Sequence, residues 1–396
     1  VNTVVDAGLV REALFDPATA MTRLATHRVS RDSAEQRCGR AGRLAPGHCY
    51  RLWSEEQQER LVARATPEIL QSDLAPLALQ LLAWGVADTA ELQWLDHPPA
   101  AAYTQALQLL ESLGAAFRND EGRHQLTPHG VRLAQLPLHP RLAHMLLVGC
   151  DIHANETACL LAAVLSERNP LAGGDADIGR SLRVLLGDAP CPGEYRGWFK
   201  RTWDQARRFA QVSSEVHKPR KFAISVLDED VLGVLLASAW PDRIARLRPG
   251  GEGGSYLLAN GRGALLPAED GLAGSEWLAV AEVGGRQGTA ADRIYGAAEL
   301  NPANFHEILS TLVREEEYVE WDYRKEQFLA ERRLCVGQIV LEIETLQEVP
   351  EQARQKALLG MVRRKGLDIF DWTPALRQWR ARVMLLHGLE EGGLGL

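Results

Sequence analysis

No apolar run approaches the roughly 18 residues that a membrane-spanning helix needs anywhere in this 396-residue chain. The apolar start, Val1 to Val5, is too short and lacks the basic flank of a signal peptide. A soluble, cytoplasmic protein with no membrane partner is expected. Cys-x-x-Cys pairs and Cys/His clusters at zinc spacing are missing among the six cysteines, so reduced thiols and no metal ligands are predicted. An excess of positive charge is lacking too: 44 Lys and Arg stand against 52 Asp and Glu, a net charge of −8. That balance argues against a globally basic nucleic-acid binder and leaves room for a local basic surface. The phosphate-cradling string G-x-x-x-x-G-K-[ST] occurs nowhere. What is present is ordinary globular composition, 46% hydrophobic and 24% charged, in a length that accommodates two to four domains.

The most informative stretch is Ser30 to Arg43, SRDSAEQRCGRAGR. Ser30 is a helix N-cap candidate, and the small or charged residues behind it suit a helix that buries little apolar surface. At about 100° per residue, Gln36, Arg40 and Arg43 fall within about 60° of one another on one helical face. One amide and two guanidiniums then point the same way. Gly39, Ala41 and Gly42 keep bulk away, although each glycine costs a helix about 1 kcal/mol relative to alanine. That cost implies close approach of something to the backbone. Arginine's planar fork matches phosphate oxygens, and two forks on one face can embrace a polyanion such as a nucleotide γ-phosphate. A Gln beside them can orient an attacking water. A solvated basic helix with a glycine C-cap is the plainer alternative.

The string QRCGRAGR resembles the motif Q-R-x-G-R-A-G-R of DEAH-box helicases at all its fixed positions. The resemblance implies arginine fingers at Arg40 and Arg43, a water-positioning Gln36, a nucleotide-facing backbone at Gly39 and Gly42, and local structural contacts for Arg37. It further implies ATP with Mg2+ as the cofactor of a full-length parent, and RNA, in single strands, as the partner. The opening VVDAG resembles the V-V-D-x-G segment of the same helicases. Because the chain opens on Val1 in what reads as a buried strand, the earlier part of the helicase, with its P-loop and D-E-x-H motif, is expected upstream in the same protein. This segment alone is therefore expected to be inactive. Leu9 to Leu14 and Arg23 to Val29 alternate polar with apolar residues around Asp16-Pro17 and read as a β-hairpin. In the family such a hairpin projects toward the RNA, which makes Arg23 and Arg28 candidate contacts. With a final strand over His48 to Trp53, residues 1–57 read as the tail of a RecA-like α/β domain.

Residues 58–137 read as a winged helix: one amphipathic helix from Pro67 to Trp84, a second from Ala100 to Leu113, and a small hairpin around Asn119 to Gly122. The string LGAAFRNDEGRHQLTPHGVRLAQLPLHPRLAHMLL resembles the corresponding DEAH-box segment, a structural hub in that family. Residues 138–223 read as a helical bundle. Its basic stretch, Arg196 to Lys221, interleaves cations with Trp198, Phe199, Trp203 and Phe209. Family members run such a bundle along the RNA channel, and Arg207 and Arg208 are the candidates here. Residues 224–310 hold short apolar runs, from Leu232–Ser238 through Ile244–Leu247 to Arg293–Ala298, that suit the strands of a small barrel. AWPDRIARLRPG, YLLANGRGALLP and EWLAVAEVGGRQ resemble the family's OB-fold. Such folds bind single strands through cations and stacked rings, and Tyr256, Arg262 and Arg286 are the candidates. Residues 311–396 combine charged helices, at Glu315–Glu317 and Arg363–Lys365, with a strand over Glu320–Leu329 continued near Leu334–Leu341. YVEWDYRKEQFLAERRLCVGQIVLE resembles the extra C-terminal domain of bacterial HrpB-type helicases, expected to be incomplete here.

The fold class expected is thus multidomain α+β: a RecA-like α/β tail, a winged helix, a helical bundle, an OB-fold-like β-barrel and a partial C-terminal α+β domain. The function implied is that of the C-terminal portion of an ATP-dependent RNA helicase, which couples NTP hydrolysis to translocation on RNA. A non-catalytic RNA-binding or scaffolding protein with the same accessory domains is the rival. Intact Gln36, Arg40 and Arg43 weigh against it, since fingers serve no purpose without a nucleotide. A winged-helix DNA-binding regulator is disfavoured by the acidic balance.

Overall fold

The computed structural model describes residues 1–396 except 17–20, 168, 172–173, 217–226, 251–253, 285–290, 323–324, 326, 348 and 392–396. The chain divides into two units, residues 1–312 with 337–339, and residues 313–336 with 340–396.

The first unit opens with β1 (Thr3–Asp6), which turns through Gly8 into the antiparallel hairpin β2 (Leu9–Asp16) and β3 (Met21–Arg28). Gly8 adopts φ +69, and a Cβ there would stand 2.7 Å from the Trp53 ring, so only glycine fits. The turn residues around Asp16-Pro17 lie partly outside the described residues. The hairpin leads into α1 (Arg31–Cys38), which packs on β1, and β4 (His48–Arg51) pairs in parallel with β1. The short α2 (Glu55–Glu59) follows, with Ser54 and Gln57 forming a reciprocal capping box.

Next come α3 (Ala75–Ala83), α4 (Ala100–Ser112), the small hairpin β5 (Ala116–Arg118) and β6 (His124–Leu126), and α5 (Pro128–Ala134). They close over a core of Leu79, Leu81, Leu110 and Leu133. The first of these helices begins at Ala75 and not at Pro67. Pro76 can occupy only the first turn of a helix, and residues 68–70 form a separate 3₁₀ turn. Four helices follow: α6 (Pro140–Asp151), α7 (Asn155–Ser166), α8 (Ile178–Leu186) and α9 (Arg196–Val216), with α7 packed against both α6 and α9.

Leu232–Ser238, read from sequence as a strand, lies inside a buried helix, α10 (Glu229–Ala239). A short, wholly apolar run carries no period that separates strand from helix. The deciding signal is the cap, where Asp228 accepts from the Asp230 N–H at 3.1 Å. Gly233 lets this helix touch the strand below it, since a Cβ there would meet the Glu299 carbonyl at 2.2 Å. The remaining runs form strands: β7 (Ile244–Leu247), β8 (Ser255–Leu258), β9 (Gly263–Leu265), β10 (Trp277–Gly284) and β11 (Ala291–Glu299). They close into a barrel in the order β10-β11-β9-β8-β7, with Leu278 opposite Ala245 at the closure.

The second unit is a three-stranded sheet, β12 (Arg314–Asp322), β13 (Gln327–Val336) and β14 (Ile339–Thr345), followed by α11 (Glu351–Lys365) and α12 (Pro374–Glu391). Two sequence expectations fail here. Glu315–Glu317 is strand, because Glu316 and Glu317 stand opposite Arg333 and Arg332 and the Arg332 Nε reaches Glu315 at 2.9 Å; such pairing stabilises neighbouring strands and is invisible locally. Glu320–Leu329 is two strands, not one, with Glu320 opposite Leu329 across the hairpin. Arg363–Lys365 ends a helix as expected. Among the described residues no helix is long and apolar enough to cross a membrane.

Candidate functional site

Helix α1 is held at its start. Arg31 donates from its backbone to the Val62 carbonyl at 2.8 Å and from Nη2 to the Glu59 and Leu61 carbonyls at 3.1 and 3.3 Å. Ser30 does sit at the N-cap, but its hydroxyl donates to Asp32 instead of accepting from the helix. That bond holds the Asp32 carboxyl below its ordinary range. Only Ala34 of α1 is buried, so no apolar stripe extends the helix.

It ends at Cys38. The Gly39 N–H still donates to Glu35, but Arg40 donates to Arg37 at 3.2 Å and Ala41 to Cys38 at 3.1 Å, which are tight-turn bonds. The expected helical face holding Gln36, Arg40 and Arg43 together therefore does not form. Gln36 is in the helix, and both arginines lie in the loop after it. Gly39 and Gly42 weaken the helix at this point. The loop then returns on itself, with a Cβ on Gly47 falling 2.2 Å from the Ala41 carbonyl. Gly39 keeps an ordinary right-handed conformation, and a Cβ at Gly42 would meet nothing within 4 Å.

Gln36, Arg40 and Arg43 are exposed. Among the described residues neither guanidinium meets a carboxylate. Arg37 behaves oppositely, as its expected structural role requires: its Nη1 donates to Asp6 Oδ1 at 3.0 Å and to the Leu9 carbonyl at 3.2 Å. Asp6 is 4% exposed, and the same oxygen accepts from the Gly8 N–H at 2.9 Å. Nothing in the sequence pairs Asp6 with Arg37; the signal exists only once β1 lies under α1.

The other candidates scatter. Arg23 stands opposite Leu14 in the hairpin, its side chain outside the described set, and Arg28 is exposed opposite Leu9. On α9 the residues Trp198, Thr202, Ala206, Phe209 and Ser213 form a buried stripe. Lys200 and Arg207 lie on the opposite, exposed side with Arg208 beside them. Arg207 sits 5.8 Å over the Trp203 ring and 3.5 Å from Asp204. Leu185, Phe199, Lys200, Trp203, Asp204 and Arg207 line an open cavity of about 480 Å³ there. Two barrel candidates are corrected. Tyr256 is fully buried, its hydroxyl donating to the Ser275 carbonyl at 3.0 Å, and so offers no stacking face. Arg262 is committed to buried Asp292, through Nε at 3.0 Å and Nη2 at 2.7 Å. Arg286 lies outside the described residues.

Comparison with known proteins places this geometry in context. Residues 312–346 match the family model described as ATP-dependent RNA helicase HrpB, connector region. The chain is 37% identical over 97% of its own length and 44% of the relative's to the ATP-dependent RNA helicase HrpB of Escherichia coli (strain K12). A crystal structure of the E. coli DExH-box NTPase HrpB matches 99% of this chain and 45% of that one, with TM-score 0.69 and 35% identity. A second, of the Escherichia coli DEAH/RHA helicase HrpB, matches 99% and 46% with TM-score 0.70 and 34% identity. The chain spans less than half the length of the curated relatives it matches.

Proposed function

In sequence and fold this chain matches the C-terminal part of HrpB-type DEAH-box proteins, and on that premise we propose that it supplies the arginine fingers and RNA-guiding accessory domains of an ATP-dependent RNA helicase. The observation that carries this reading is the contrast within one short string. Arg37 is tied to a buried carboxylate, while Arg40 and Arg43 stand exposed beside it with no carboxylate partner among the described residues. A cation serving the fold is paired; two left free next to each other suit an incoming anion. Arg40 and Arg43 would contact the γ-phosphate of ATP, Gln36 would orient the water, and the open space beside Gly42 would admit the nucleotide. ATP supplies the phosphoryl group, and Mg2+ neutralises its charge. Among the described residues no group of three or more His, Cys, Asp or Glu is placed to hold a metal ion.

Residues 58–137 are proposed as a winged helix and the five-stranded barrel as an OB-fold. Lys200, Arg207 and Arg208 on α9 would follow a single-stranded RNA backbone. The parent would act in the cytoplasm. The experiment is performed on the chain by itself: it binds single-stranded RNA with an affinity that falls steeply with salt and turns over no ATP. RNA-stimulated hydrolysis by this chain, lost in Arg40→Ala, would refute the division of labour. Salt-independent RNA affinity would refute the RNA surface.

A further inference from the structure

The string bearing the candidate fingers also bears a cysteine to which the proposed nucleotide chemistry gives no task. Cys38 is the last residue of α1, one position beyond Arg37, whose guanidinium reaches Asp6 on β1. Along the paired strands Val4 stands beside Cys49 and Asp6 beside Arg51, and these four are the positions withdrawn from solvent. Cys49 therefore shares with Asp6 the face on which α1 packs. The strand register and the packing of α1 on β1 bring the two cysteines to that one face as side-chain neighbours, and both are half-buried, within reach of a small solute. Of the other four cysteines, Cys150, Cys159 and Cys335 are buried, and the Cys191 thiol turns to the Pro192 carbonyl at 3.6 Å.

We propose that Cys38 and Cys49 are a redox modification site, which a peroxide-class oxidant converts into an intramolecular disulfide closing the loop that carries Arg40 and Arg43. One thiolate attacks a peroxide oxygen, the O–O bond breaks, and the leaving hydroxide takes up a proton as water, leaving a sulfenic acid. The second sulfur displaces the sulfenic hydroxyl; the S–S bond forms as the S–O bond breaks, and the second thiol's proton leaves with a second water. Two thiols give up two electrons and one peroxide accepts them. A dithiol reductant reverses the step. Burial, with the adjacent Cys38 sulfur, pushes the Cys49 thiol up. Disulfides in a reducing compartment are usually of this transient, sensing kind. The consequence for the fingers rests on the helicase reading; the disulfide itself does not.

The test uses the reduced chain, hydrogen peroxide and thiol alkylation followed by mass spectrometry without reduction. Trypsin cuts after Arg37, Arg40, Arg43 and Arg51, so Cys38 and Cys49 fall on different peptides. The expected result is a drop from six alkylatable thiols to four, a cross-link joining those two peptides, and full recovery in dithiothreitol. Cys38→Ser and Cys49→Ser should each abolish the cross-link. Cys38 and Cys49 both still alkylated after peroxide, oxidised separately to sulfinic acid, or joined to cysteines elsewhere would each overturn the proposal. No nucleotide enters this assay, so its failure stays separate from failure of the helicase reading.

Discussion

Arg37 and Arg40 sit three positions apart in one string and do opposite work, which makes their substitution effects separable. Removing Arg37 leaves a buried carboxylate whose Oδ2 already has no partner in the described structure. Breaking a fully buried pair costs about 3–5 kcal/mol. Because the Arg37 side chain is 35% exposed while that of Asp6 is 3% exposed, Arg37→Ala is expected to cost about 2 kcal/mol, discounted for solvent screening. Arg40→Ala and Arg43→Ala should stay within about 0.5 kcal/mol, as exposed sites without partners do. Urea unfolding of the three variants checks both. A second residue-scale expectation concerns His144, whose Nδ1 lies 2.7 Å from His129 Nε2 while Arg132 approaches His129 Nδ1 at 3.3 Å. Arginine only donates, so His129 keeps its proton on Nε2 and donates to His144. Burial, with His129 beside it, pushes the His144 pKa down to about 3. Between about pH 3 and the unfolded value near 6.5 the unfolded chain binds the extra proton, so stability falls as pH falls. From pH 7 to 5 this one group should remove about 2 kcal/mol, and His144→Gln should lose that much less over the same interval in urea titrations.

Among the elements, those with caps and clear periods were legible and those defined by distant partners were not. The helices at Ala100–Ser112, Pro140–Asp151 and Arg196–Val216 and all five barrel strands follow from apolar spacing and turn residues. The helix over Leu232 could not be separated from a strand by period. The acidic start of β12 needed its Arg332 and Arg333 partners to be understood. The site divides the same way. The residues Gln36, Arg40 and Arg43 were readable as a string, but their shared helical face was not real, because α1 ends at Cys38, where Gly39 and Gly42 disfavour its continuation. Tyr256 and Arg262 show the converse, since their chemistry suited a single strand until burial and Asp292 claimed them. Helix α9 retains its exposed cations opposite a buried stripe. Replacing Arg207 and Arg208 together by Glu should weaken binding of a single-stranded RNA oligonucleotide and flatten its salt dependence by about 1.4 log units per log unit, about 0.7 for each phosphate no longer neutralised. Fluorescence anisotropy across a salt series measures both, and an unchanged slope would remove α9 from the RNA path.

At the scale of the molecule, each stretch carries its own local string, and the likeness to HrpB extends over 97% of the chain. The exposed Gln36, Arg40 and Arg43 give the first unit its proposed direction: nucleotide at the end of α1 and the loop after it, RNA at α9. The central claim is that Arg43 acts on the nucleotide and not on the RNA. It is tested most directly by single-turnover ATP hydrolysis and RNA binding measured on the same Arg43→Lys protein, in the full-length parent. An ammonium cannot reproduce the planar fork, and finger loss costs on the order of 10³ to 10⁵ in rate. With Arg40 still present, the account predicts a loss of about 10³ in hydrolysis and unchanged RNA affinity without nucleotide. Near-normal hydrolysis with weakened RNA binding would contradict it and make the α1 loop an RNA-contacting element.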